Sequence, residues 1–160
     1  MGNHEDLFLD WARGGSKYPQ YCWLDNGGTA TLAQLSKMMD GSLQIPAFLI
    51  DYLSELPLRI NVSQLDWPRD LIITHAPLLG GYMDADAQEL GQFWNRGWVD
   101  QVTEIPGTLQ LFGHNSYWGW QTWKNDAGDV YAANLDGSRD DLLVGMAWPG
   151  GGIIVESYRG

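Results

Sequence analysis

The residues of this sequence best suited to chemistry are its three histidines. Each falls in a short stretch of small or polar residues: Gly2-Asn3-His4-Glu5, Thr74-His75-Ala76-Pro77 and Gly113-His114-Asn115. His75 directly follows the apolar run Leu71-Ile72-Ile73-Thr74, and His114 follows Leu109-Gln110-Leu111-Phe112-Gly113. Side chains at the carboxyl ends of adjacent strands converge on one edge of a sheet, where ligands bind in α/β folds. Imidazole is the commonest side-chain metal ligand, and a neighbouring glycine lets backbone and ligand approach closely. A lone histidine is more often a hydrogen-bonded structural residue, whereas three at loop junctions make a metal site possible. No HxxxH or cysteine-based signature is present to name the metal.

These residues need elements to position them. Leu7, Phe8, Leu9 and Trp11 predict a short helix over 5–12, starting directly after Asn3 and His4 and ended by Gly14-Gly15. Beyond the Gly27-Gly28 break, Thr29 could cap a second helix, and Asn26 reads as a cap or turn residue. Phe48, Leu49, Tyr52, Leu53 and Leu56 share one face at helical spacing, so a third helix is expected over 45–56, stopped by Pro57. After Pro57 the texture changes to strand-length runs at 58–62, 71–74, 109–112, 130–135, 142–148 and 153–158, bounded by Pro, Gly and Asp. The last strands would be antiparallel, joined by Asp136-Gly137-Ser138 and Pro149-Gly150-Gly151-Gly152. Asp84 to Trp98 reads as a short helix plus a surface loop.

Composition bounds the rest. A chain of 160 residues with 44% hydrophobic content is long enough for one domain with a real core, expected over 1–160, and too apolar to stay disordered. A net charge of -11 disfavours nucleic acid and anionic membrane surfaces as partners. No long apolar span or signal-like start appears, and the single cysteine, Cys22, fits a reducing compartment, so the expected location is cytoplasmic. Nine tryptophans, several of them in Tyr117-Trp118-Gly119-Trp120-Gln121-Thr122-Trp123, more often build a core or stiffen a loop than bind a ligand.

Read in order, Gly2-Asn3-His4-Glu5, Trp23-Leu24-Asp25-Asn26-Gly27-Gly28-Thr29-Ala30-Thr31, Thr74-His75-Ala76, Trp94-Asn95-Arg96 and Phe112-Gly113-His114 resemble the later motifs of calcineurin-like metallophosphoesterases of the phosphoprotein phosphatase type. Bacterial and phage serine/threonine phosphatases are the nearest pattern. The resemblance implies an α/β fold, a metallophosphoesterase-like layered β-sandwich flanked by helices and truncated at its N-terminus. It implies metal-dependent hydrolysis of phosphate monoesters on a phosphorylated protein or a small phosphate ester. Asn3 would bind a metal and orient the substrate phosphate, and His4 would be the general acid. His75 and His114 would be ligands of one metal, and Arg96 would grip phosphate oxygens.

Each role has a physical reason. Two divalent ions roughly 3.5–4 Å apart activate water and neutralise phosphate charge, and manganese, iron or zinc would serve. An arginine fork binds two phosphate oxygens, and an imidazole donates the leaving-group proton. The family's first two motifs, GDxHG and GDxxDRG, have no counterpart, so at most one metal site is partly present and little turnover is expected of these residues alone. Asp66, Asp84 to Asp86, Asp140 and Asp141 read as solvated surface, and Asp136 reads as a turn former. Alternatives are a non-catalytic or partner-binding protein retaining the fold, a dinucleoside polyphosphate hydrolase, or, from the tryptophans, a carbohydrate-binding β module. Strands ending at His75 or His114 would offer an unpaired edge if part of the sheet were missing. The oligomeric state stays open.

Overall fold

The computed structural model describes residues 1–41, 44–64, 66–78, 101–116, 119–147 and 152–157. Two compact units, Met1–Pro57 and Leu58–Gly160, divide the chain. The architecture is mixed α/β, with a few helices and a five-stranded mixed sheet.

The first unit is helical: α1 (Asn3–Ala12), α2 (Gln20–Trp23), α3 (Thr29–Met38) and α4 (Ala47–Ser54). α1 starts earlier than the sequence predicts, so Asn3 and His4 lie in its first turn. The cause is Gly2, which holds extended backbone at the cap and donates its N–H to the Glu5 carboxylate at 2.9 Å. Leu7, Phe8 and Leu9 of α1 are buried, and Trp23 packs between Phe8 and Trp11 with ring centroids 5.1 and 4.7 Å away. The connection after α1 is strapped back by acidic side chains. Asp6 accepts from Lys17 Nζ and the Tyr18 hydroxyl, each at 2.7 Å, and Asp10 accepts from the N–H groups of Lys17 and Tyr18.

Between α2 and α3 lies a wide turn of π type, Leu24–Gly28. Its two glycines serve different needs. Gly27 has φ +99°, which only glycine adopts without strain, and a Cβ on Gly28 would sit 2.4 Å from the Trp23 ring. Asn26 acts as the expected turn residue, donating from Nδ2 to Cys22 O at 2.7 Å. Thr29 is not the cap of α3 but its first residue, and its hydroxyl donates to Leu24 O.

The second unit carries β1 (Arg59–Val62), β2 (Asp70–Thr74), β3 (Thr108–Phe112), β4 (Gln121–Lys124) and β5 (Val130–Asn134) in one sheet, ordered β1-β2-β3-β5-β4. β2, β3 and β5 are parallel, with Leu71 opposite Leu109 and Leu111 opposite Ala133, while β1 and β4 pair antiparallel at the two edges. Every residue of β3 is buried, as expected of a strand covered on both faces in a parallel sheet. One face packs Leu71, Leu109, Leu111 and Ala133, and another cluster joins Val102, Phe112 and Ala132 with Trp123 and Tyr131. The strands ending at His75 and His114 are therefore interior, which overturns the expected unpaired edge. β5 and β6 (Leu142–Ala147) lie in different sheets, and β6 pairs antiparallel with β7 (Gly152–Ser157). Only that last pair meets the antiparallel expectation. The expected helix and loop over 84–98 lie outside the described residues.

Candidate functional site

Parallel pairing of β2 and β3 brings their carboxyl ends level. The ladder runs past both strands, because Gly113 donates its N–H to His75 O at 3.0 Å, and Leu135 donates to Phe112 O at 2.8 Å. His75 and His114 consequently meet: His75 Nε2 stands 3.1 Å from His114 Nδ1, with ring centroids 4.8 Å apart and both residues half-buried. In a neutral pair one nitrogen carries the hydrogen and the other accepts it. The same spacing suits two nitrogens on one metal, since two Zn–N bonds of about 2.05 Å at a tetrahedral angle put the nitrogens about 3.3 Å apart. The donor pair thus fits a divalent cation. Among the described residues no group of three or more His, Cys, Asp and Glu is placed to hold one.

His114 has φ +68°, a left-handed backbone that non-glycine residues rarely adopt. Fully buried Asn134, at the end of β5, holds the loop in that shape. Its Nδ2 donates to Asn115 O at 3.1 Å and to Gly119 O at 2.7 Å, while its Oδ1 accepts the Asp136 N–H at 3.2 Å. Asp136 accepts from the Ser138 N–H and hydroxyl, the turn-forming role expected of it. A shallow recess of about 380 Å³ opens at this sheet edge between Thr74, Gly113, Leu135 and Asp136. Sequence reasoning missed Asn134, although a polar residue after Val130-Tyr131-Ala132-Ala133, where an apolar strand would continue, was the available signal.

Asn3 and His4 belong to the other unit. They occupy the first turn of α1, where the helix dipole favours anions. Asn3 is 3% exposed, and His4 is exposed. Arg96, with Trp94 and Asn95, lies outside the described residues, as do Asp84 to Asp86 and the tryptophan of the 117–118 pair. Asp66 and Asp140 are exposed, as expected for solvated carboxylates, and Asp141 is partly so. Trp123 packs on Phe112 at 5.4 Å, a core role. No described helix is long and apolar enough to cross a membrane.

No family model and no curated protein sequence matches this chain. One solved structure similar to it is described as "a putative diadenosine tetraphosphatase", with a TM-score of 0.54 and 21% sequence identity over 99% of this chain and 68% of that one. At that identity the likeness is one of fold. It agrees with the mixed α/β architecture.

Proposed function

We propose that this protein takes part in metal-dependent hydrolysis of phosphate esters, as a hydrolase of the calcineurin-like metallophosphoesterase class. The carrying observation is the His75–His114 pair, two imidazole nitrogens 3.1 Å apart at the carboxyl ends of adjacent parallel strands. His75 and His114 would hold a divalent ion, manganese, iron or zinc. Bound there, the ion would lower the pKa of water and neutralise phosphate charge. As water replaced the leaving group on phosphorus, His4 would donate the proton that the leaving oxygen takes up. Asn3 would orient the phosphate, and Arg96 would grip its oxygens.

The motif pattern supports a phosphoserine or phosphothreonine substrate. The description of the structural neighbour favours a second reading, a dinucleoside polyphosphate. The single cysteine supports a cytoplasmic setting.

Calorimetric titration with Mn²⁺ and Zn²⁺ tests the assignment. His75→Ala and His114→Ala are expected to weaken binding by about tenfold or more, and to lower whatever p-nitrophenyl phosphate hydrolysis the parent shows. Metal affinity equal in the parent and the double variant would overturn the metal site. Robust turnover on a phosphate ester would overturn the non-catalytic alternative.

A further inference from the structure

The motif Trp23 to Thr31 has no chemical role in the reading above, yet it builds a cavity. Within the first unit, a recess of about 330 Å³ opens between the first turn of α1, the turn over 24–28, α3 and α4. Phe8 and Trp23, 5% and 4% exposed, make its floor, and Leu35 and Leu53 its walls. Neither α3 nor α4 buries any residue, so these leucines stay half-exposed where a closed core would have filled the space. Gly28 seats the Trp23 ring, and Gly27 with its φ of +99° turns the chain around it.

We propose that this recess binds the nucleobase of a nucleoside leaving group. Its volume lies at the low end of the range for small organic ligands, about 300–1,000 Å³, and is roughly ten times the share of one water. An aromatic floor with aliphatic walls suits a flat ring. The mouth is polar. Asn26 spends its amide N–H₂ on Cys22 O, which leaves Oδ1 as an acceptor for an exocyclic amine, and the Thr31 hydroxyl lies a long 3.5 Å from Gly27 O. An acyl chain would match the walls and leave these polar groups unused, and a phosphoserine side chain would leave the recess empty. His4 also lines the cavity. The inference rests on His4 as general acid: the oxygen it protonates would then belong to the molecule whose base fills the recess.

The test titrates adenosine into the full chain and follows the tryptophan indole N–H signals by NMR. Leu35→Trp fills the cavity and Thr31→Trp narrows its mouth from an exposed helix position, while Gln34→Trp, on the same helix and outside the cavity, serves as control. Circular dichroism checks that each variant folds. The parent and the control should bind adenosine alike, and both cavity variants about tenfold or more weaker, a loss of about 1.4 kcal/mol. Absence of adenosine binding in the parent, equal affinity across the set, or tighter binding of octanoate than of adenosine would each overturn the proposal. Mn²⁺ titration of the same samples reports on His75 and His114 separately. Metal binding without adenosine binding sinks the nucleobase site and leaves the hydrolase reading standing. Adenosine binding without metal binding sinks the hydrolase reading, and the leaving-group role with it.

Discussion

His114 combines backbone strain with a position next to a second imidazole, and the two separate on mutation. Its left-handed backbone costs about 1–2 kcal/mol, comparable to the roughly 1 kcal/mol of one hydrogen bond. His114→Gly should therefore leave the free energy of unfolding within about 1 kcal/mol of the parent by denaturant titration, while weakening the proposed metal binding by about tenfold or more. Asn134 behaves oppositely. Its truncation leaves two buried carbonyls and one N–H without their partner, so Asn134→Ala should cost about 3 kcal/mol in the same measurement. The two histidines were legible because a strand followed by glycine or a small residue predicts a sheet edge. Asn134 was not, because its partners, the carbonyls of Asn115 and Gly119, are brought to it only by the sheet.

Elements with a clear period were read correctly in kind. α1 and α4 follow helical spacing, α3 follows the glycine break, and six of the seven described strands lie where apolar runs predict them. β4 was missed since Gln121-Thr122-Trp123-Lys124 lay inside an aromatic stretch with no alternation of its own. The turn over 24–28 was read as a break, which conceals that its glycines have separate reasons. Gly28→Ala should cost about 1–3 kcal/mol through collision with Trp23. Gly27→Ala should cost about 1 kcal/mol through backbone strain alone, and thermal melts would rank the two. The strap after α1 gives a pH signature. Partial burial works against the Lys17 charge, but the hydrogen bond and charge of Asp6 outweigh it and raise the ammonium above its ordinary value. That stabilisation is complete below the usual lysine pKa and disappears as pH rises through the raised value. Lys17→Met should cost about 0.5 kcal/mol near neutrality, screened by salt, and nothing at strongly alkaline pH.

At the scale of the whole molecule, a net charge of -11 repels any anionic ligand that lacks a local cation. Affinity for inorganic phosphate should rise when Mn²⁺ is supplied, and in the metal-free protein it should improve with added salt as the repulsion is screened. A fall in metal-free affinity with salt would show instead that local cations already govern the approach. The parallel centre of the sheet has a further consequence, one of timing. Asp70 pairs with Thr108, and Gln110 with Ala132, so the pairings on which the histidines depend join segments far apart in the chain. Contacts of such separation form slowly, after local helices and hairpins. The His75–His114 pair should therefore form late in folding, and the proposed two-imidazole grip on a metal with it. The appearance of that grip marks the moment the sheet closes.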